Sequence, residues 1–197
     1  APYEAAMLIQ DYCRKRKAGA ATTIEIYAAE PGPMGTAGPE ISKAVRQLVE
    51  SKGIAYHPEH QITSADPAAR RLRFANGAEA AYDLLATVPP HRAPRAVRES
   101  GLIAESGWIP VDRHTLQTQF DNVFAIGDIT TIPLKMGRPL PKAGVFAHSQ
   151  AEVVANNIAH AWTGKGTPRQ FIGEGMCFIE TGGGRACNLT NGYLGLP

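Results

Sequence analysis

The sequence TQFDNVFAIGD, from Thr118 to Asp128, contains the strongest structural signal of the chain. The apolar run from Val123 to Ile126 predicts a buried strand. Gly127 then lets the backbone turn and come close to a neighbouring group. Asp128 places a hydrogen-bond acceptor at the carboxyl end of that strand, which is where open α/β sheets bind ligands. The stretch therefore predicts a ligand site in an α/β protein.

A long helix is predicted directly after this stretch. The segment Pro139 to Gly144, PLPKAG, precedes a helical pattern that runs from about Pro141 to Trp162 and ends at Gly164. Its predicted inward face consists of Ala147, Ala151, Val154, Ile158 and Ala161. A strand, a carboxylate and a helix amino terminus would then converge, and a helix amino terminus favours negative charge. The alternative is that Asp128 only caps the helix after a buried strand.

The residues before Pro89 alternate between strand and helix patterns. The predicted elements are a first helix with Ala5, Leu8, Ile9 and Tyr12 on one face, a strand over 23–28, a helix over 39–52, a strand over 54–57, a hairpin over 71–82 and a buried strand over 84–88. Strand, helix and strand in succession indicate a parallel sheet of the dinucleotide-binding type. After Pro89 the composition changes, which predicts a domain crossing. Two strands, over 107–112 and 122–128, and a tail hairpin over 175–180 and 185–189 are predicted beyond it.

The composition excludes several classes of protein. The 197 residues are 44% hydrophobic and 19% charged with a net charge of +2, which gives no reason to expect a nucleic-acid partner. Cys13, Cys177 and Cys187 lack metal-ligand spacing, so neither a metal site nor a disulfide scaffold is indicated. No apolar run of eighteen residues is present, so no transmembrane helix is predicted.

The Gly-Asp stretch and the following helix resemble the second flavin motif of the pyridine nucleotide-disulfide oxidoreductase superfamily. The resemblance implies a partial Rossmann-like fold of two dinucleotide-binding domains. Residues 1–88 would form the second nucleotide-binding-like domain without its first strand, and 89–197 the carboxyl-side part of the FAD domain with the tail hairpin. FAD would be the cofactor, bound by the residues Gly127, Asp128, Lys142, Ala143 and Gly144. Asp128 would bond the ribityl chain, and Lys142 would lie near flavin N1 and the C2 carbonyl or remain a solvated lysine.

Within this superfamily the sequence resembles the sulfide:quinone oxidoreductase and flavocytochrome c sulfide dehydrogenase branch. The residues that carry the resemblance are Pro2-Tyr3-Glu4, Pro89-Pro90-His91 with Pro94, PKAGVFA from Pro141 to Ala147, and Cys177. The resemblance implies that Cys177 is the catalytic second cysteine of a redox pair whose first member precedes Ala1. Sulfide would be the substrate, and electrons would pass through FAD to a quinone or cytochrome. The intact enzyme would be cytoplasmic, with peripheral attachment to the inner membrane or a periplasmic location as alternatives. The alternative is that Cys177 is a small buried hydrophobic residue.

Further interpretations stay open. Glu30 follows a predicted strand, where a nicotinamide-binding domain places the acid that bonds a ribose hydroxyl, and this would favour a type II NADH:quinone oxidoreductase. A solvent-exposed turn acid is the other interpretation of Glu30. No cap precedes the first helix, and the strand, glycine-rich turn and flavin-binding segment that precede it in the resembled family are not in the sequence. We therefore expect the chain to be a carboxyl-side fragment that is inactive and holds FAD weakly or not at all. A non-catalytic module that shares the fold is the remaining alternative.

Overall fold

The computed structural model describes residues 2–192, in which the chain forms four α-helices and nine strands. The helices are α1 (Pro2–Lys15), α2 (Pro39–Glu50), α3 (Arg95–Arg98) and α4 (Gly144–Thr163). The strands are β1 (Glu25–Tyr27), β2 (Ala55–His57), β3 (Ile62–Asp66), β4 (Arg71–Phe74), β5 (Glu79–Ala81), β6 (Ile109–Pro110), β7 (Thr130–Thr131), β8 (Glu174–Gly182) and β9 (Arg185–Gly192). Two compact units contain them. The first combines Ala1–Pro89 with Phe178–Asn188, and the second is built on Pro90–Cys177 and takes up the chain again after Asn188.

The first unit contains the predicted strand-helix-strand element. β1 and β2 pair in parallel, with Glu25 opposite Ala55 and Tyr27 opposite His57. α2 connects them and begins at Pro39, a position where proline costs no hydrogen bond. It buries Val45 and Val49, which lie one helical turn apart on the same face. The prediction of a parallel pair joined by a helix is confirmed.

The inward face of α1 differs from the predicted one. Tyr3, Ala6 and Met7 are buried, whereas Leu8, Ile9 and Tyr12 are exposed. Tyr3 and Met7 lie one helical turn apart and so share a face. The residues of α1 are apolar on two sides, and tertiary contacts such as that between the Tyr3 and Tyr56 rings select one of them.

A three-stranded antiparallel sheet follows in the order β3, β4, β5. The predicted hairpin corresponds to β4 and β5, while β3 was not predicted because its residues are mostly exposed and polar. The buried strand predicted over 84–88 is wrong, since Leu84 is 84% exposed and lies in no strand. An apolar run forms a strand only when a neighbouring strand completes its hydrogen bonds, and none does so here among residues 2–192.

In the second unit the stretch from Thr118 to Asp128 is less regular than predicted. Thr118 and Val123 close a short hairpin in which Gln117 and Phe124 form an isolated bridge. Only Ala125 of the predicted strand is buried, at 4% exposure. The parallel pair is instead β6 with β7, in which Ile109 lies opposite Thr130. β6 is therefore shorter than the strand predicted over 107–112, and the strand predicted over 122–128 is replaced by β7, which begins two residues after that range.

Within residues 2–192, the second unit has a core of seven buried side chains. Its buried side chains are Leu116, Ile132, Leu134, Leu140, Phe146, Val153 and Phe171. α4 contributes Phe146, Gln150 and Val153 to the interior. Of the predicted face, Ala147, Ala151 and Val154 are half-buried beside them, whereas Ile158 and Ala161 are exposed. Gly164 ends α4 in the left-handed conformation, as predicted.

The tail forms the predicted hairpin of β8 and β9 around Gly183 and Gly184. The predicted division at residue 89 placed this whole hairpin in the second domain. The structure groups residues 178–188 with the first unit instead. The last five residues of the predicted second domain, 193–197, lie outside the described part of the chain.

Candidate functional site

The Gly127–Thr130 turn and the start of α4 line one pocket in the second unit. The pocket is small and partly open to solvent. Its walls are Gly127, Asp128 and Thr130 from the turn, Ile132 and Leu140 from the core, Pro141, Lys142 and Ala143 before α4, and Phe146 and Gln150 from its first two turns. The predicted convergence of the carboxylate with the helix amino terminus is therefore present in the structure.

Gly127 has a conformation and a setting that favour glycine. Its φ is +71°, and a Cβ at this position would lie 3.3 Å from the Ala147 Cβ. Its backbone N–H donates a hydrogen bond of 2.6 Å to Oε1 of Gln150, a side chain that is only 1% exposed. Sequence reasoning missed Gln150 because it followed apolar periodicity. A lone glutamine one turn after Phe146 was the available signal.

The Asp128 side chain is exposed at the edge of this pocket. Its carboxylate accepts no hydrogen bond from residues 2–192, so it is available to an external donor. The residue that precedes α4 is Ala143, which makes no side-chain cap. The interpretation of Asp128 as a helix cap after a buried strand is therefore wrong.

Lys142 is held by the backbone of the same turn. Its Nζ donates to the carbonyl oxygen of Asp128 and, at 3.0 Å, to that of Thr130. The ammonium also lies 3.5 Å from the centre of the Trp108 ring, within cation–π range. Burial lowers the pKa of Lys142, while the nearby charge of Asp128 acts in the opposite direction. Lys142 is therefore not the freely solvated lysine of the alternative interpretation.

Cys177 is an exposed, free thiol on β8. Phe178 beside it is also exposed, at 61%, so the interpretation of Cys177 as a buried hydrophobic residue is wrong. Two residues earlier, β8 lies against a pocket wall, because a Cβ on Gly175 would be 2.5 Å from Cε1 of Phe146. Of the other cysteines, Cys13 is half-buried and Cys187 is exposed.

The head of α1 is tied to its surroundings through Tyr3 and Glu4, the residues of the Pro-Tyr-Glu motif. The Tyr3 hydroxyl donates to the Glu30 carboxylate. Burial and this carboxylate together raise the pKa of Tyr3. Oε1 of Glu4 accepts the backbone N–H of Glu180 at 2.9 Å. Glu30 is thus a half-buried partner of Tyr3 and not a solvent-exposed turn acid.

Comparison with known proteins identifies the family. Residues 4–160 match the model of the pyridine nucleotide-disulphide oxidoreductases. The chain belongs to this family. Among curated relatives, the mitochondrial sulfide:quinone oxidoreductase of Schizosaccharomyces pombe is 28% identical over 193 residues, which cover 94% of this chain and 40% of the relative. The mitochondrial sulfide:quinone oxidoreductase of Mus musculus is 22% identical over 161 residues, 78% of this chain and 34% of the relative.

The fold is shared with a solved relative. The sulfide:quinone oxidoreductase of Aquifex aeolicus superimposes with a TM-score of 0.79 at 19% identity, over 96% of this chain and 50% of that one. The predicted fold class, a partial Rossmann-like flavoprotein, is confirmed. The chain spans at most half the length of these relatives. None of the helices within residues 2–192 has the length and apolar character needed to cross a bilayer.

Proposed function

We propose that this chain is part of an FAD-dependent oxidoreductase that oxidises sulfide and passes the electrons to a quinone. The observation that supports it best is the convergence of the Asp128 carboxylate with the start of α4 at one pocket. A carboxylate that accepts no hydrogen bond from residues 2–192 suits a ligand that brings hydroxyl donors, as the ribityl chain of FAD does. The likeness to sulfide:quinone oxidoreductases over 94% of the chain supports sulfide as the substrate.

The residues present fit a flavin in their donor and acceptor types. Asp128 would accept hydrogen bonds from the ribityl hydroxyls, and Gly127 keeps the turn free of a side chain. Ala143 and Gly144 bring the amino terminus of α4 to the pocket, where its backbone N–H groups favour partial negative charge. Lys142 belongs to the same proposed site. FAD, when bound, supplies a two-electron acceptor.

Cys177 is the proposed sulfur-handling residue. Attack of hydrosulfide on a disulfide between Cys177 and a second cysteine would break the S–S bond and form a persulfide on one sulfur. The other sulfur would leave as a thiolate. Formation of a new sulfur–sulfur bond between this thiolate and the persulfide would release a proton and two electrons, which FAD would accept when bound. Such exchange needs an accessible sulfur, and Cys177 is exposed on a strand that packs against the pocket wall at Gly175.

The flavin part of the proposal is tested by Asp128→Ala in the intact protein. Loss of a charge-assisted hydrogen bond costs roughly 1.5–3 kcal/mol, so we expect FAD affinity to fall by about one to two orders of magnitude. Isothermal titration of the apoprotein with FAD measures it. The matched control is Asp121→Ala, which removes another exposed carboxylate nearby in the sequence. Unchanged affinity together with a lower melting temperature would make Asp128 a structural residue.

The sulfur part is tested by Cys177→Ser in the intact protein, followed by anaerobic stopped-flow absorbance at the flavin band. We expect sulfide-driven flavin reduction to be lost while FAD stays bound, because a serine hydroxyl forms no persulfide. Cys187→Ser, at another exposed thiol, is the control and should reduce normally. Reduction of the Cys177 variant at the wild-type rate would refute the assignment. Rapid reduction of the flavin by NADH, with none by sulfide, would favour an NADH:quinone oxidoreductase. The hydrogen bond between Tyr3 and Glu30 disfavours that function, because it occupies the carboxylate that would bind a ribose hydroxyl.

A further inference from the structure

We propose that Lys142 and Gln150 are positioning residues, which clamp the Gly127–Thr130 turn and so aim the Asp128 carboxylate at the ribityl chain. The inference rests on the proposed flavin site. It assigns Lys142 an action through Asp128, in place of the direct contact with flavin N1 and the C2 carbonyl that the family resemblance implies. Gln150 has no assigned role in that resemblance.

Gln150 holds the first residue of the turn. Its Oε1 accepts the Gly127 N–H at 2.6 Å, and the side chain is 1% exposed in the second turn of α4. Burial of an amide side chain is costly unless it is hydrogen-bonded, so this contact has a strong preference for one geometry. The amino end of the turn is thereby fixed to α4.

Lys142 holds the remainder of the turn. An ammonium has three N–H donors, and two of them are taken by the carbonyl oxygens of Asp128 and Thr130. The face of Trp108 lies 3.5 Å away on another side of the same ammonium. Its charge is therefore directed into the turn and onto an aromatic ring.

The two side chains contact complementary backbone groups. Gln150 takes an N–H at Gly127, and Lys142 takes the carbonyl groups at Asp128 and Thr130. A fourth contact, from the Thr130 hydroxyl to the Gly127 carbonyl at 2.8 Å, closes the turn on itself. With the backbone fixed at these points, the Asp128 side chain is the group left exposed to the pocket. A ligand that bonds this carboxylate meets a group whose position is already set, which lowers the entropic cost of binding.

The test is a double-mutant cycle for FAD affinity in the intact protein. Lys142→Met keeps the stem and removes the charge, and we expect it to weaken FAD binding about tenfold, since two charge-assisted bonds to the turn are lost. In the Asp128→Ala background the same change should cost less than about twofold, because there is no carboxylate left to aim. Lys135→Met, which removes an exposed ammonium, is the control and should have no effect.

The reduction potential of the bound flavin distinguishes positioning from direct contact. A cation at the flavin ring that bound the reduced form tenfold better would raise the potential by about 30 mV for a two-electron couple. Positioning predicts the same potential for wild type and Lys142→Met, and a drop of about 30 mV in the variant would overturn it. Equal affinity losses in the two backgrounds would overturn it as well. Either of these two outcomes would refute the positioning role of Lys142 but not the proposed flavin site. Wild-type FAD affinity in Asp128→Ala would instead refute the proposed contact between Asp128 and the flavin.

A second variant keeps the proposal testable if Lys142→Met does not fold. Gln150→Met retains the length of the side chain and removes the acceptor for the Gly127 N–H. It should show the same coupling to Asp128→Ala and the same unchanged potential. If the losses of FAD affinity from Gln150→Met and Asp128→Ala were additive, the positioning role of Gln150 would be refuted.

Discussion

Substitution of Gly127 by alanine should destabilise the second unit by a calculable amount. An L-residue in the left-handed region costs roughly 1–2 kcal/mol, and Gly127 has φ of +71°. The new Cβ would in addition lie 3.3 Å from the Ala147 Cβ, which is closer than an ordinary carbon–carbon contact. Overpacking of this kind costs about 1 kcal/mol or more. We expect a total loss of roughly 2–3 kcal/mol in the free energy of unfolding.

The chain offers a matched control and a specific probe. Gly137 has φ of +79°, and a Cβ added there would meet nothing within 4 Å, so Gly137→Ala should cost only the backbone strain. Trp108 and Trp162 are the two tryptophans of the sequence, and both belong to the second unit. Urea unfolding followed by tryptophan fluorescence therefore reports on the unit that contains both glycines.

A second background separates strain from contact. With Ala147→Gly already present, Gly127→Ala should cost only about 1–2 kcal/mol, because the opposing Cβ is gone. The reasoning is refuted if Gly127→Ala costs no more than Gly137→Ala. It is also refuted if the cost is the same with and without the Ala147 methyl group.

Two other predictions concern the flavin content of the chain and the loop that contains Asp112. The 197 residues contain no Gly-x-Gly-x-x-Gly segment for the FAD pyrophosphate, so the purified chain should lack a stoichiometric flavin absorbance band; finding one would contradict this. Asp112 accepts the N–H groups of Thr115 and His114 at 2.7 and 2.9 Å, and these bonds lower its pKa below the usual 3.8. A carboxyl group whose pKa is lower in the folded state than in the unfolded state stabilises the fold at pH values above its unfolded pKa, and this stabilisation is lost as the pH falls through its folded pKa. The free energy of unfolding in urea should therefore differ less between about pH 7 and about pH 3 for Asp112→Asn than for wild type.

The sequence predicted the elements whose signals are local. Proline favours the first turn of a helix, as at the start of α2, and glycine accepts the positive φ needed after α4 and in the turn between β4 and β5. The helix start, the helix end and the hairpin were each placed correctly. The strand over 84–88 failed because a strand needs a partner, which no local pattern specifies. The predicted burial of Val123–Ile126 failed for a related reason, since the short hairpin with 116–118 leaves only Ala125 inside.

The candidate site was predictable in its position but not in its hydrogen bonds. Gly127, Asp128 and the start of α4 could be brought together from the sequence, because a glycine, a carboxylate and a helix start follow one another in a recognisable order. Gln150 had a weaker signal, its place one turn after Phe146, and the hydrogen bond that gives it a role spans 23 residues of sequence. Hydrophobic periodicity counts a glutamine as outward-facing, whereas a glutamine with a backbone partner can be buried at little cost.

The same distinction applies to Cys177, whose role could be proposed from the sequence, whereas the contacts around its strand could not. An exposed thiol has chemistry of its own, whereas Glu4 and Gly175 matter only through what they touch. Glu4 accepts the N–H of Glu180, and Gly175 leaves no room for a Cβ against Phe146. Cys177 lies between Gly175 and Glu180 on β8. In the proposed sulfur exchange, the Cys177 thiol would have to approach a second sulfur in a defined geometry. The packing of Gly175 against Phe146 fixes the strand two residues before Cys177, as this exchange would need.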